Sequence, residues 1–350
     1  MHSTQSMRIV MKKICFVLVM VFSGMSSAIA QRVLVVDNGA DAPGGELVFS
    51  EVQAAIDAAE PGDSILVVGH GLENQYADVV INGKSDLTIT GAGFNPEIAT
   101  EGSFEFPVIE NLDVIGSSKI TVSGLWVEAR FFLFTDRGRS IVQDVRIEKS
   151  RIGELNFGGP QDVIVTQCFV ELLTAQVSDN GRIAFSNNVI KALSFASENM
   201  IFDHNFFLFA NLDAGNFVIS ENNRFTNNVF ARGDFNVSLV NSLLIGNFVL
   251  GSLPIGVQGN TGSDNVISTL RIEEIYPGIE ENGLVVTTDL SVRNAAIINA
   301  APDGTDFGPT GGLFPYSVSV LGMPSVMLST ESETVSQNRT FKVSVSTKAN

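Results

Sequence analysis

A short phrase that recurs through residues 165–267 constrains this fold more than any other feature. Each copy places a polar or small residue before two apolar residues, and successive copies are 20, 17, 23, 19 and 18 residues apart. A repeat of about 20 residues is typical of a solenoid, in which each repeat forms one coil and neighbouring coils share a core. The copies begin at Cys168, Asn188, Asn205, Asn228, Asn247 and Asn265, with weaker copies at Gly124 and Ser150.

The sequence on either side of each copy alternates between apolar and polar residues. Ile183 and Phe185 precede the copy at Asn188, and Leu193 and Phe195 follow it. A period of two indicates strands whose alternate side chains point to opposite faces. We therefore predict an all-β chain with about three short strands per coil, which is the architecture of a β-helix.

The recurring Asn has a structural interpretation. Asn tolerates left-handed backbone and forms local hydrogen bonds at turns. In a stack, an amide side chain can also hydrogen-bond to the copies above and below it. We therefore predict a structural ladder, with ligand binding as the alternative role, formed by Cys168, Asn188, Asn205, Asn228, Asn247 and Asn265.

Residues 1–30 have the form of a secretion signal. Lys12 and Lys13 precede the apolar run Ile14–Phe22, which is too short to span a bilayer. Ala28-Ile29-Ala30 fits a cleavage site before Gln31. The segment predicts a secreted, periplasmic or cell-surface protein, with no membrane span once the signal is removed.

Cleavage would make an acidic chain more acidic. Residues 1–30 hold three of the 21 basic residues and none of the 38 acidic ones, so the remainder has 18 against 38 and a net charge of −20. Such a charge argues against nucleic acid and anionic membrane surfaces as partners. It is compatible with cation binding, so Ca²⁺ stays open as a cofactor.

The aromatic residues are mostly Phe, with 25 Phe against one Trp and three Tyr. Phe needs no polar partner in a dry core. This excess therefore predicts stacked interior columns of Phe. It also leaves few aromatic residues for a platform on which sugar rings would stack.

Few residues of the cleaved chain suit metal or nucleophilic chemistry. Cys168 is its only cysteine, so no disulfide can form within it, and we expect a buried structural thiol. His70 and His204 are its only histidines, which argues against a His-rich metal site or a Ser-His-Asp triad. His204 directly precedes Asn205, so we expect it at a turn.

A short amphipathic helix is predicted to cap the start of the coils. Ser50 is a candidate N-cap, and Gln53 stands at the capping-box position. One face of the helix collects Val52, Ala55, Ile56 and Ala59. A cap is expected because the end of a solenoid exposes its core.

The run Val52–Val68, with its Pro-Gly-Asp turn, and the phrase Asp86–Gly91 resemble the first coils of a known family. This is the pectin-lyase-like superfamily of right-handed parallel β-helix proteins, in its bacterial secreted form. Asp303–Gly308 resembles the closing phrase of many such proteins. The resemblance covers most of residues 47–310 and implies the fold, including its handedness, but says almost nothing about activity. Residues 92–118 are less regular, and we expect a longer loop there.

Three segments follow from these observations. Residues 1–30 are the signal peptide, and residues 31–324 form the parallel β-helix with its cap. Residues 325–350 alternate like a β-hairpin, and we predict that this tail packs on the end of the stack.

The candidate functional residues lie between the inward positions of the strands. Because stacked strands are about 4.8 Å apart, one outer patch is predicted to unite Glu128, Arg130 and Glu154. In the superfamily such a face often holds a saccharide, so the two carboxylates beside Arg130 are candidates for an acid and a base, or for the binding of calcium and a uronate. Neighbouring ligand-binding candidates in the column of Arg130 are Asn156, Asn211 and Asp234. The alternative is a salt-bridged, solvated face.

Asp303 and Asp306 are candidate Ca²⁺ ligands, with an ordinary Gly-rich turn as the alternative. Thr does not recur in the outward columns predicted here, which argues against a flat Thr array for binding ice. For function we expect a non-catalytic extracellular protein that binds a polysaccharide or cell-surface glycan, or acts as a scaffold. The alternative is a polysaccharide lyase or glycoside hydrolase, because a fold alone does not fix an activity.

Overall fold

The structure is a computed structural model. It describes residues 31–39, 45–70, 72–91, 93, 106–135, 141–175, 181–195, 197–209, 220–231, 239–251, 258–276, 294, 297–313 and 315–316, and the strands 325–329 and 344–348. The described residues from Val33 onward belong to one compact unit. The predicted signal peptide, residues 1–30, lies outside the described residues. Within the described ranges no helix is long and apolar enough to cross a bilayer.

The described chain is mostly β-structure. Its helices are α1 (Val52–Ala58), α2 (Ile272–Ile275) and a 3-10 turn at Leu72–Asn74. Its strands are β1 (Val33–Val36), β2 (Val48–Phe49), β3 (Ser64–Val67), β4 (Val79–Asn82), β5 (Ser85–Gly91), β6 (Val108–Ile115), β7 (Ser118–Ser123), β8 (Trp126–Phe134), β9 (Gln143–Glu148), β10 (Arg151–Gly158), β11 (Gln161–Thr166), β12 (Phe169–Ala175), β13 (Ile183–Ser186), β14 (Val189–Phe195), β15 (Met200–Asp203), β16 (Phe206–Phe209), β17 (Ser220–Glu221), β18 (Arg224–Thr226), β19 (Val229–Phe230), β20 (Leu239–Val240), β21 (Leu243–Ile245), β22 (Phe248–Val249), β23 (Thr261–Ser263), β24 (Val266–Ile267), β25 (Ser325–Ser329) and β26 (Ser344–Lys348).

Two long parallel sheets carry the fold. Sheet 1 has 12 strands in the order β2-β1-β3-β5-β7-β9-β11-β13-β15-β18-β21-β23. Sheet 2 has 10 strands in the order β24-β22-β19-β16-β14-β12-β10-β8-β6-β4. The chain therefore alternates between the sheets and advances one strand with each coil. This arrangement confirms the predicted parallel β-solenoid.

The longer strands of sheet 2 each turn a corner. In β10 the interior residues are Ile152, Leu155 and Phe157, so the two neighbours Gly153 and Glu154 both lie on the outside. The period of two changes phase at that point, which divides one long strand into two short ones. Together with the strand of sheet 1, this supplies the predicted three strands per coil.

Stacked Phe rings fill the interior, as the composition predicts. Phe202 lies between Phe185 and Phe225, with ring centroids 4.9 and 4.8 Å apart and rings nearly parallel. Phe207 and Phe230 form a second stack at 4.9 Å. These spacings match the separation of adjacent parallel strands, because each coil contributes one ring to each column.

The Asn column forms a continuous hydrogen-bonded ladder. The Nδ2 of Asn188 donates to Oδ1 of Asn205 at 2.9 Å, and Asn205 donates in the same way to Asn228 at 3.0 Å. The series continues to Asn247 and Asn265 at 3.0 Å. Each Oδ1 also accepts the backbone N–H of the previous ladder residue. The amides therefore satisfy buried backbone groups at every turn.

The left-handed backbone lies one residue before the ladder, and not at the ladder Asn as we predicted. Positive φ angles occur at Gln167 (55°), Asn187 (55°), His204 (53°) and Asn227 (57°). The ladder residue itself directly precedes the strand of sheet 2, which starts one residue later. This separation of roles means that the turn residue, and not the ladder residue, has its side chain on the outside of the stack.

A second, shorter ladder lies at the turn that enters sheet 1. Asn223 Oδ1 accepts the N–H of Met200 at 2.8 Å, and the N–H of Asn223 donates to Ser242 Oγ at 3.1 Å. The N–H of Ser242 then donates to Asn260 Oδ1 at 2.9 Å. The sequence analysis missed this ladder because Ser interrupts the Asn series.

Helix α1 covers the first coils as predicted, but its cap differs. Val52, Ala55 and Ile56 are buried, whereas the N-cap is Glu51, without a side-chain cap bond, and not Ser50. Gln53 instead bonds the free edge of sheet 2, where its Oε1 accepts the N–H of Val80 at 2.8 Å. The helix is thereby attached to the terminal strand β4. The long loop predicted for residues 92–118 is wrong in part, since β6 occupies its second half.

The chain leaves the stack through a segment that returns along its outside. We call residues 297–316 the exit segment. Its residues Asp303–Gly308 form turns, as predicted. Further on, β25 and β26 pair antiparallel, which confirms the predicted hairpin. The packing of this tail on the stack end stays a prediction.

Candidate functional site

A β-bulge sets the geometry of the predicted outer patch. In β8, Val127 pairs with Ile152 of β10, and the next pair joins Arg130 to Glu154, so β8 holds one residue more than its neighbour. The same shift occurs against β6, where Arg130 pairs with Asn111. Glu128 therefore lies in the bulge, exposed, and Asn156 pairs with Phe132 instead of Arg130. The predicted columns were misaligned by two residues. One arises from the bulge, which the sequence does not reveal, and the other arises because Trp126, and not Leu125, pairs with Arg151.

Gly153 makes the bulge sterically possible. A Cβ at this position would lie 2.0 Å from the backbone oxygen of Glu128 and 2.7 Å from that of Ala129. Only glycine allows two strands to approach so closely. Gly153 thus allows Arg130 to pair with Glu154, because the extra residue in β8 shifts the pairing of that strand by one position.

Arg130 is the centre of the patch. Its Nη2 lies 3.2 Å from each carboxylate oxygen of Asp113, and its guanidinium carbon lies 5.2 Å from the ring centre of Phe132. Phe132 and Phe134 are half-buried neighbours, with ring centroids 5.3 Å apart. On the next strand, Asn156 Nδ2 donates to Glu154 Oε1 at 3.2 Å. We define the Arg130 patch as Asp113, Arg130, Phe132, Phe134, Glu154 and Asn156.

The Arg130 patch combines an apolar platform with directional polar groups. Two Phe rings lie on the outer face of β8. This differs from the expectation that few aromatic residues would remain for a platform on which sugar rings stack. Gly158 lies beside them, and a Cβ there would be 2.9 Å from the Phe134 ring. Around the rings, carboxylates accept and the guanidinium and amide donate hydrogen bonds. This mixture suits a planar or hydroxyl-rich ligand.

The adjoining half of sheet 2 has a covered outer face. Its outward row is apolar and forms a second core with the end of the chain, separate from the interior one. The residues of that row are Phe169, Val189, Phe206, Val229 and Phe248, and they pack against Ile272, Ile275, Tyr276, Ile297, Phe307 and Tyr316. The single Trp, Trp126, packs at the margin of this core.

Asp303 and Asp306 lie in the exit segment and have protein partners. Asp303 Oδ1 accepts the backbone N–H of Thr305 at 3.0 Å and its hydroxyl at 2.8 Å. Asp306 Oδ1 accepts the N–H of Asn299 at 2.8 Å. Across the described residues, no group of three or more His, Cys, Asp or Glu side chains is placed to hold a metal ion. The predicted ligand-binding residues Asn211 and Asp234 lie outside the described residues.

The thiol of Cys168 is buried at the start of the Asn ladder. Its Sγ lies 3.3 Å from the carbonyl oxygen of Thr166, and its N–H donates to Asn188 Oδ1 at 2.9 Å. Burial raises the pKa of the thiol to about 12. A thiol with so high a pKa is a poor nucleophile, which agrees with a structural role.

Threonine does recur on the outer face of sheet 1, although only briefly. Thr88 pairs with Thr121, and Thr90 pairs with Ser123. The next strand presents Arg146 and Glu148 at these positions, so the array ends after two strands. The expectation of no Thr column is corrected by this register, but two strands give too small a surface for a regular lattice.

No protein-family model matches the chain, and no curated protein matches it. The class of protein is therefore defined by the structure alone, as a parallel β-solenoid.

Proposed function

We propose that this protein is an extracellular member of the pectin-lyase-like β-helix superfamily, of the bacterial secreted type, that binds glycan without cleaving it. The observation that carries the proposal is the Arg130 patch. It presents two partly exposed Phe rings beside an arginine, two carboxylates and an amide. Sugars offer apolar ring faces and many hydroxyls, and such a surface matches both. The predicted signal peptide supports a location outside the cytoplasm or at the cell surface.

Binding is favoured over catalysis because the charged groups of the patch are already paired. Arg130 contacts both oxygens of Asp113, and Glu154 accepts from Asn156. A general acid or base must instead be available to the reacting atoms. A polysaccharide lyase or glycoside hydrolase is the second candidate, since Arg130 and Glu154 are neighbours in register. Such a pair would contact an acidic sugar and its leaving group.

The test is a binding screen of the purified protein against acidic and neutral polysaccharides, with and without Ca²⁺. We expect retention on at least one polysaccharide, and we expect Phe132→Ala and Arg130→Ala to weaken it. The matched control is Ile164→Ala, because Ile164 lies on β11 and is exposed on the outer face of sheet 1. Unchanged retention in both patch variants would refute the proposed site.

The same samples distinguish the enzyme hypothesis. New reducing ends or unsaturated products that disappear in Glu154→Gln would establish catalysis. Retention without product supports the binding protein. Neither retention nor product from any polysaccharide would leave the scaffold hypothesis in place of both.

A further inference from the structure

The exit segment is attached to the stack through the left-handed turn residues that precede the ladder. The N–H of Gly308 donates to the carbonyl of Asn227 at 2.8 Å. Asn187 Nδ2 donates to the carbonyl oxygens of Pro309, at 3.1 Å, and Gly311, at 2.6 Å. Gln167 Nε2 donates to Pro315 at 2.7 Å. One turn column of the solenoid therefore acts as the docking strip for the returning chain.

Among the four turn residues Gln167, Asn187, His204 and Asn227, only His204 is titratable, and both of its ring nitrogens face carboxylates. Its Nδ1 lies 3.1 Å from Oδ2 of Asp203, and its Nε2 lies 3.1 Å from Oδ2 of Asp303. The His204 side chain is 2% exposed, whereas those of Asp203 and Asp303 are 43% and 40% exposed. The buried ring thus joins a carboxylate of the stack to a carboxylate of the exit segment.

The neighbours of Nε2 require it to carry a hydrogen. Thr305 Oγ1 lies 3.0 Å from Nε2 and 2.8 Å from Asp303 Oδ1, and it accepts the N–H of Gly312 at 2.9 Å. A carboxylate only accepts, so the Thr305 hydroxyl hydrogen is directed to Asp303. The Thr305 and Asp303 oxygens that face Nε2 of His204 therefore act as hydrogen-bond acceptors. We assign the hydrogen from this network.

The neighbour of Nδ1 is also an acceptor oxygen. Asp203 Oδ1 accepts the hydroxyl of Thr226 at 2.6 Å, and Oδ2 is the oxygen that faces Nδ1. Nδ1 is buried and forms no hydrogen bond, so its contact with Asp203 is electrostatic. A lone pair on Nδ1 would face the negative charge of Asp203. Both ring nitrogens therefore face acceptor oxygens.

We propose that His204 is a proton-dependent latch that holds the exit segment against the stack. As an imidazolium it links Asp203 to Asp303, and loss of one proton leaves a buried neutral ring facing at least one carboxylate without a hydrogen between them. The exit segment then loosens, and the apolar outer row beneath it becomes accessible. This inference does not depend on the proposed glycan binding.

The surrounding charges define the pH window of the latch. Arg224 of the next coil and His204 act on Asp203, and Asp303 faces the ring from the exit segment. Burial raises the pKa of Asp203, but its contact with His204, the hydrogen bond from Thr226 and the nearby positive charge of Arg224 lower it further, to below its ordinary value. Its contribution is thus present above the ordinary Asp pKa and is lost as pH falls through the lower folded value.

Glycine residues of the exit segment fit closely against the ring. A Cβ at Gly311 would lie 2.6 Å from His204 Cδ2, and one at Gly312 would lie 3.1 Å from Nδ1. The ring is therefore enclosed by backbone on this side. A change in the charge of the ring therefore weakens its contacts with the exit segment, because few water molecules can enter to replace those contacts.

The latch is tested with the full chain labelled with ¹⁵N at histidine. The chain has three histidines, and His204→Gln identifies the signals of His204. We expect His204 to show the doubly protonated signature while the exit segment is docked. In parallel, hydrogen exchange of the amides of Gly308, Gly312 and Tyr316, corrected for intrinsic rates, should lose about tenfold or more of its protection when that signature disappears.

Asp303→Asn is the decisive variant, because it changes the exit segment and leaves the stack intact. It should remove the pH dependence of exit-segment protection, and His204→Gln should do the same. His70→Gln is the matched control, since His70 forms another Asp–His pair, with Asp37 at 2.7 Å. A neutral His204 ring throughout the pH range, or the same protection profile in Asp303→Asn as in the unmodified chain, would overturn the latch.

Discussion

The two halves of sheet 2 present different outer faces. In the first half the outward row reads Val108, Trp126 and Arg151, and the Arg130 patch lies beside it without a cover from described residues of the exit segment. In the second half the same row is apolar and packs against the end of the chain. The Asn ladder lies beneath the second half alone, because it begins only at Asn188. The half of sheet 2 that is covered on its outer face is therefore the half that has the Asn ladder beneath it.

The boundary between the halves is a charged cluster. The guanidinium of Arg151 lies 4.1 Å from the ring centre of Trp126, and its Nη2 lies 3.1 Å from Glu171. Lys191 contacts the other oxygen of Glu171 at 3.0 Å. The comparison shows that this row is covered where its outward residues are wholly apolar, from Phe169 to Phe248, and that the cover ends where Arg151 and Glu171 introduce charge.

The largest expected effect comes from breaking the ladder beneath the covered half, with Asn228→Ala. Asn228 donates to Phe202 and Asn247 and accepts from Asn205. Its loss leaves buried donors and acceptors without partners, which costs about 3–5 kcal/mol of unfolding free energy. Urea denaturation measures this loss.

Asn265→Ala is the matched control at the end of the ladder. Asn265 is only partly buried, so we expect a clearly smaller loss. Hydrogen exchange should place the loss in Asn228→Ala within the covered half, with the strands β6, β8 and β10 still protected. An equal loss in the two variants would show that the ladder does not act through buried, satisfied amides.

Removing the cover itself is the next largest change. Phe307 is fully buried in the outer core, and its ring centroid lies 5.9 Å from that of Phe248. Phe307→Ala should cost about 3 kcal/mol, borne by the exit segment instead of the stack. Exit-segment amides should exchange faster and an apolar dye should bind, while the urea midpoint of the strands moves little. A shift of that midpoint as large as for Asn228→Ala would contradict a separate outer core.

The Gly153→Ala substitution tests the open half of sheet 2. The added Cβ meets the backbone of Glu128, so the bulge must shift, at a cost of about 1–3 kcal/mol. Because the bulge sets the register of Arg130 against Glu154, any glycan binding at the patch should fall as well. Gly45→Ala is the matched control, since Gly45, like Gly153, has no positive φ, but a Cβ there would meet only the side chain of Val48, at 3.3 Å. Equal effects of the two changes would show that the close approach is unimportant.

The sequence predicted the repetitive parts of this molecule well. Apolar alternation gave the coils, the Phe excess gave the stacks, and the amphipathic run at Val52 gave the cap. Each of these follows from a local pattern that every coil repeats. The Arg130 patch was located only approximately, because one extra residue in β8 changes which side chains are neighbours, and nothing in the local pattern marks it except Gly153.

The covering of the second half was not predicted for a different physical reason. The contact of His204 with Asp303 joins residues 99 positions apart that share no repeat. The composition of the exit segment predicts that it is rich in turns. It does not show which part of the stack the segment packs against. The available signal was the residue before each ladder position, where Gln167, Asn187, His204 and Asn227 are all able to donate hydrogen bonds outward.

The smallest expected effect concerns Cys168, which lies at the boundary of the two halves. Burial raises the pKa of this thiol to about 12, whereas an unfolded chain has the ordinary value of about 8.5. Between these values the unfolded state binds fewer protons than the folded state, so stability falls as pH rises. From about pH 8 to pH 9 the loss attributable to this thiol should be below about 1 kcal/mol.

Cys168→Ser separates this thiol from the tyrosines, whose ordinary pKa is about 10 and whose effect therefore begins at higher pH. Ser is a sound replacement because Ser150 occupies the preceding ladder position and its hydroxyl donates to the carbonyl of Glu148 at 2.8 Å. The variant should show a flatter dependence of the urea midpoint on pH over this interval. In folded protein without residues 1–30, where Cys168 is the only cysteine, a thiol-alkylating reagent should also react slowly. Equal slopes in the two proteins, together with rapid alkylation, would mean that the boundary between the halves opens readily to solvent.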